Sequence, residues 1–199
     1  MRIFQLFILI TSVFSISTIS ADVTQGISQP ESNKGSAAEV IFMRSSFVGA
    51  AIKTTVYDVT DAETRFLGIL KNKQKISYNV PAGKYVFMVV SEAADFMEAE
   101  VSAGKTYYSI ITPRAGAWKA RFSMFPIRTD GTTKFNTDSK DFSKWKKKTK
   151  LTTLNDKSLA WFEKHKASVE SKREKYWPVW QQKAAEDLAA RTINPDDGL

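Results

Sequence analysis

The chain has 199 residues, 43% of them hydrophobic and 12% aromatic, enough material for the core of one domain plus an extension. It contains no cysteine, which excludes disulfides, a thiol nucleophile and a lipid anchor on an N-terminal cysteine, and one histidine without cysteine cannot build a typical zinc site. The net charge of +8 suits anionic partners.

Met1 and Arg2 give a positive start, residues 3–10 are almost wholly apolar, and small residues at Ser20 and Ala21 precede Asp22. This pattern predicts a secretory signal over residues 1–21, too short and too interrupted by Thr11, Ser12, Ser15, Ser17 and Thr18 to serve as a membrane anchor. The protein is therefore expected to be exported, periplasmic or extracellular, where a basic chain meets phospholipid head groups or lipopolysaccharide phosphates rather than nucleic acid. Residues 22–37 hold little apolar material and read as a flexible leader.

A β-sandwich domain is expected over residues 38–128. Val40-Ile41-Phe42-Met43 is a buried-strand run closed by Arg44, and residues 45–49 form a turn. Residues 52–59 alternate, residues 60–64 loop, and residues 66–70 form a short strand whose Gly68 suggests a bulge. After a turn at Lys71-Asn72-Lys73, Ile76, Tyr78 and Val80 share a strand face. Residues 85–90 and 107–112 are apolar on both faces, as central strands are, whereas Met97, Ala99 and Val101 alternate with Glu98 and Glu100. Trp118, Ala120, Phe122 and Met124 form the last alternating run, ended by Pro126. A phrase recurs between these runs: Val80-Pro81-Ala82-Gly83-Lys84-Tyr85 and Val101-Ser102-Ala103-Gly104-Lys105-Thr106-Tyr107. Each copy stops one strand run and starts another, which predicts two hairpin turns.

Beyond the strands, residues 129–155 read as a basic linker carrying Lys144, Trp145, Lys146, Lys147, Lys148 and Lys150. Residues 156–193 read as a helical extension capped by Asn155 or Asp156, with Pro178 either kinking it or starting a second helix, and residues 194–199 as a tail. Leu159, Phe162, Val169, Tyr176 and Trp180 fall roughly on one helix face. That aromatic face has two readings. Either it packs against the sheet and leaves the lysines solvated, or the helix, with Trp161 and Trp177, lies on a membrane or grips a partner.

The fold class is thus mainly β: an Ig-like or transthyretin-like antiparallel β-sandwich of about seven or eight strands with a C-terminal α-helical extension. Four stretches carry a resemblance: Ile41-Phe42-Met43-Arg44-Ser45-Ser46-Phe47-Val48-Gly49, Phe66-Leu67-Gly68-Ile69-Leu70, Val80-Pro81-Ala82-Gly83-Lys84-Tyr85 and Ala103-Gly104-Lys105-Thr106-Tyr107-Tyr108. Across about residues 38–112 the chain resembles the bacterial domain of unknown function 2846 family. The resemblance implies a small exported envelope β-sandwich. The chain departs from the lipoprotein members in lacking a lipobox cysteine, and it adds a long helical tail. No activity follows from the resemblance.

No catalytic constellation is recognisable. Ala103-Gly104-Lys105-Thr106 imitates the end of a phosphate loop, but the earlier glycine and the following helix are missing, so Gly104 reads as a turn glycine and Lys105 as solvated. His165 reads as an exposed helix residue, and Asp58, Asp61 and Glu63 as a solvated loop without the spacing of a calcium site. Arg44 needs a carboxylate or carbonyl partner if buried, or else marks a binding surface. The function expected is a non-enzymatic binding or accessory module, without cofactor or metal. Its lysine run around Trp145 would contact an anionic lipid or lipopolysaccharide surface or an envelope protein. The alternative is a sandwich that binds a glycan or small ligand, or even catalyses hydrolysis, and its mark would be a concave pocket with convergent polar residues.

Overall fold

The computed structural model of the protein describes residues 37–114 and 121–199. The expected signal, residues 22–36 of the expected leader, and Trp118 and Ala120 lie outside the described residues. Eight strands come first in chain order: β1 (Ala37–Arg44), β2 (Thr54–Asp58), β3 (Arg65–Leu70), β4 (Gln74–Pro81), β5 (Gly83–Val90), β6 (Ala94–Val101), β7 (Thr106–Pro113) and β8 (Phe122–Pro126). They are followed by α1 (Lys140–Lys148), β9 (Lys150–Leu151), α2 (Asp156–Gln181), α3 (Ala185–Ala189) and β10 (Thr192–Ile193).

The strands form two five-stranded sheets facing one another. The first runs β8-β7-β1-β4-β9 and the second β10-β6-β5-β2-β3. A β-sandwich with a C-terminal helix is what the alternating runs and the helical composition predict. The sheets are mixed rather than wholly antiparallel, because β1–β7, β4–β9 and β6–β10 pair in parallel. Parallel neighbours arise where the chain leaves a sheet and returns to it, a long-range event that local alternation does not encode. The bulge expected near Gly68 is present: Val56 faces Gly68 and Tyr57 faces Phe66, which leaves Leu67 as the extra residue.

The twin phrases are not hairpins. Between Pro81 and Gly83 the chain passes from the first sheet to the second, and between Val101 and Thr106 it passes back. Both corners lie at one pole, where Gly83 faces Val101, the Gly104 N–H donates to the Ala37 carbonyl at 2.9 Å and the Glu39 N–H donates to the Lys105 carbonyl at 2.9 Å. A corner and a hairpin need the same local chemistry, a break in alternation and a residue at positive φ. Gly104 supplies it at φ +77°.

Three apolar layers result. Between the sheets lie Val40, Phe42, Val56, Phe87, Met97, Tyr107 and Ile111, among others. On the outer face of the second sheet, Tyr57, Phe66, Met88 and Phe96 meet Phe162, Val169 and Trp180 of α2. Phe66 stacks on Phe162 with centroids 4.9 Å apart, and Phe96 meets Trp177 edge-on at 5.0 Å. On the outer face of the first sheet, Met43 and Ile110 pack with Phe142 of α1. Thus α2 packs on the sandwich, with Leu159 and Tyr176 joining that layer too. The reading in which its aromatic face lies on a membrane is corrected. An apolar stripe of that length must be covered, and the outer face of the second sheet supplies an apolar surface to cover it.

Local signals set the ends of α2. Asn155 caps it through a reciprocal pair with Ser158, at 2.9 and 3.0 Å, and Pro178 sits within its last turn rather than opening a new helix. Residues 129–155, read as a basic linker, hold α1 and the edge strand β9. The C-terminal residues are strapped to the sandwich. Arg191 pairs with Asp95 in the interior, Arg128 pairs with Asp197 at 2.6 Å, and Leu199 exchanges two backbone hydrogen bonds with Thr106. Lys105, expected to be solvated, instead donates to the Pro195 carbonyl at 2.9 Å. Gly198 is obligatory there, since a Cβ would lie 2.7 Å from Tyr107 Cζ.

Packing of α2 fixes an asymmetry. Phe162→Ala should cost about 3–5 kcal/mol. Lys164→Ala, on the exposed side, should stay within about 0.5 kcal/mol. Urea unfolding measures both, and similar losses would contradict the packing.

Candidate functional site

The pole of the sandwich opposite the twin corners gathers the end of β1, the start of β2, the turn between β3 and β4, and the start of β9. The register requires this, because Arg44 faces Gln74, Thr54 faces Leu70 and Gln74 faces Lys150. Arg44 anchors the pole from inside. Its side chain is wholly buried, Nη1 donates to the Leu70 carbonyl at 3.0 Å, Nη2 donates to the Gly49 carbonyl at 2.7 Å, and the guanidinium lies over the Phe122 ring at 4.5 Å. Burial pulls its pKa down to about 10, so it remains charged at neutral pH. Carbonyl pairing, one of the two options for a buried arginine, is the one realised. No carboxylate forms an ion pair with it among the described residues.

This anchor shapes the loop that follows β1. Gly49 adopts φ +65° and approaches Phe122 so closely that a Cβ would lie 3.0 Å from its Cζ. The Ile52 N–H closes a turn on the Gly49 carbonyl at 3.0 Å, and the Ser46 N–H donates to Asn72 Oδ1 at 2.9 Å. With its base pulled inward, the loop pushes Phe47 and Val48 outward. They are 98% and 67% exposed, more than the other large apolar side chains described. Leu151 of β9 is exposed as well.

Lysines border this apolar knuckle. Lys71 and Lys73 occupy the turn that Asn72 ties to the loop, and both are exposed. The Lys150 N–H donates to the Lys73 carbonyl at 3.0 Å, which brings β9 and the end of α1 alongside. Lys144, Lys147, Lys148 and Lys150 are exposed. Lys146 is exposed but bent over the Phe142 and Tyr108 rings at 5.1 and 5.5 Å, and its carbonyl accepts from Lys75 Nζ at 3.4 Å. Three lysines in the last helical turn also suit the negative end of the helix dipole. Trp145 is half-buried against Phe135 at 6.1 Å. The predicted lysine run therefore forms one surface, while its tryptophan belongs to the packing beneath. Phe47, Val48, Lys71 and Lys73 were not singled out by sequence reasoning. The signal available was two apolar residues, Phe47-Val48, inside a stretch read as a turn.

The remaining residues weighed from sequence have structural roles. Asp58 is buried rather than solvated. It accepts from the Tyr78 hydroxyl at 3.0 Å and from the Thr60 N–H at 3.0 Å, and Arg65 donates to the Tyr78 oxygen at 2.8 Å. The loop after it is clamped by Arg173, which donates to the carbonyls of Val59, Asp61 and Ala62. His165 is half-buried, stacked on Trp161 with centroids 4.3 Å apart. Glu100 pairs with Lys84 across the surface at 3.7 Å. Among the described residues no group of side chains suits a metal ion, and no helix is long and apolar enough to cross a membrane. No family model matches the chain, and no curated protein matches it.

Two outcomes follow from these local arrangements. Arg44→Leu removes a charged donor from each of two carbonyls, which keep only the Ile52 N–H and the Thr54 hydroxyl among the side-chain and turn donors, so stability should fall by about 1–3 kcal/mol. Amide exchange at Ile52 should quicken, and unchanged exchange there would contradict the anchoring role. Burial, the main cause, pushes the Tyr78 hydroxyl up to about 12. An unfolded tyrosine ionises near pH 10. The stabilisation is therefore full below pH 10 and is lost as pH rises toward 12. Urea midpoints taken at pH 9 and pH 11.5 should fall less in Tyr78→Phe than in the parent protein, and parallel falls would contradict the assignment.

Proposed function

We propose that the protein is a non-enzymatic module that docks reversibly on an anionic lipid surface through the pole bearing Phe47 and Val48. The observation that carries this is the placement of two uncovered apolar side chains on a braced loop beside Lys71, Lys73, Lys150 and the exposed lysines of α1. Lysines near an anionic membrane contribute about 1 kcal/mol each. A phenylalanine moved from water into an apolar phase adds about 1.5–3 kcal/mol. The loop is already ordered, so little conformational entropy is lost on docking. Export through the N-terminal signal, with location in the envelope, belongs to the same proposal, as does kinship with the domain of unknown function 2846 family. The basic composition and the lack of cysteine support a non-covalent contact.

Sedimentation with phosphatidylglycerol vesicles, set beside phosphatidylcholine vesicles, tests the proposal. Binding should be selective for the anionic lipid and weaken as salt rises. Replacing Lys144, Lys146, Lys147 and Lys148 by Gln should weaken it at least about tenfold. Phe47→Ser with Val48→Ser should also lower it about tenfold at constant charge. Binding that ignores salt and both sets of changes, or capture of a protein with no vesicle binding, would overturn it.

A further inference from the structure

A separate cleft of about 300 Å³ lies between the outer face of the second sheet and α2. The register sets its floor, because Ile69 of β3, Thr55 of β2 and Val90 of β5 are cross-strand neighbours. The Thr55 hydroxyl donates to the Val90 carbonyl at 3.3 Å, so the floor presents mainly hydrocarbon. The wall is one face of α2, where Trp161, His165, Ser168 and Lys172 recur at helical spacing.

The register gathers its polar groups at one end, the mouth, because Thr55 pairs with Val90 and Lys53 and Ser91 lie just beyond that pair. Lys172 is half-buried, and its Nζ donates to the Ser91 carbonyl at 3.1 Å, leaving further donors on the ammonium. Lys53 stands exposed at the lip, and among the described residues Glu92 is the acidic side chain lining the cleft. His165 Nδ1 donates to the Trp161 carbonyl at 2.6 Å, and its ring stacks on the Trp161 indole. That bond fixes the tautomer and leaves Nε2 as the ring nitrogen with no partner among the described residues. An apolar floor with an aromatic wall and two ammonium groups at the mouth is complementary to an amphiphile with a negative head. It is poorly suited to a glycan, which needs many hydrogen-bond partners along its length.

We propose that this cleft binds one small amphiphilic anion: a carboxylate on an alkyl or aryl body of roughly ten heavy atoms, taking about 30 Å³ for each. The body lies on Ile69, Thr55 and Val90 beneath Trp161, and the head group meets Lys172 and Lys53. This inference does not rest on membrane docking, although Ile52 and Lys53 belong to the segment that leads from the docking loop into β2. A free fatty acid and a membrane lipid both offer this chemistry, and the arms of the test separate them.

Calorimetric titration with monomeric sodium octanoate should show saturable one-to-one binding, with 1-octanol at least tenfold weaker. Ser168→Trp, at an exposed helix position, should fill the cleft and abolish octanoate binding. Lys172→Gln should weaken it about tenfold, and it reads the same site should the tryptophan variant fail to fold. Ser168→Trp should still sediment with phosphatidylglycerol vesicles, so failure of this proposal and failure of membrane docking are distinguishable. Loss of vesicle binding in that variant would mean that the cleft serves a bilayer lipid and would overturn a soluble ligand. Absence of saturable heat, equal binding of 1-octanol, or octanoate binding unchanged in Ser168→Trp and Lys172→Gln would overturn the site itself.

Discussion

Both sheets of this sandwich carry large apolar side chains on both faces, and most of the structure answers that constraint. The inner faces cover one another. The outer face of the second sheet, with Tyr57, Phe66, Met88 and Phe96, needs an apolar layer of its own, and α2 supplies it. The outer face of the first sheet, with Met43 and Ile110, draws Phe142 and the half-buried Phe125, Phe135 and Trp145 onto itself. The C-terminal half of the chain is therefore the covering that lets the strands be doubly buried. Its described tryptophans are consumed in that covering, and most of its lysines are left to solvent.

Two buried ion pairs fasten the last segment of this covering. Arg191–Asp95 joins the end of α3 to β6, and Arg128–Asp197 joins the strand exit to the C-terminal turn. Buried pairs contribute little net stability against apolar replacements, but removing one partner strands a charge in the interior. They consequently set position: β10 lies parallel to β6, and Leu199 pairs with Thr106. Arg44 sets position in a comparable way at the opposite pole, with carbonyls and a ring in place of a carboxylate. There the result is an outward knuckle, Phe47 and Val48, that the covering layers do not reach.

Much of the fold was legible in the sequence because its signals are local. Alternation marked the long strands, Asn155 or Asp156 marked the start of α2, Gly68 suggested a bulge, and the spacing of Leu159, Phe162, Val169, Tyr176 and Trp180 marked one apolar helix face. What was not legible is non-local. The twin Ala-Gly-Lys phrases have the same grammar in a hairpin and in a corner between sheets, and only the partner strand distinguishes them. Asp95, Asp197, Arg128 and Arg191 are unremarkable as single residues, and the topology makes them pairs. The lysine run was legible as a basic surface. The apolar half of the site was not, since Phe47 and Val48 lie in a stretch that reads only as a turn, and it is the bonds of Arg44 and the conformation of Gly49 that turn them outward.

The proposed function divides the roles of the chain: the aromatic tail packs as core, and the basic pole with its apolar knuckle is the proposed contact surface. Hydrogen–deuterium exchange with and without phosphatidylglycerol vesicles tests both halves in one measurement. New protection is expected at residues 45–53, 71–75 and 144–151, with the amides of α2 unchanged. Protection gained along α2, or α2 released from the sheet when vesicles are added, would contradict it.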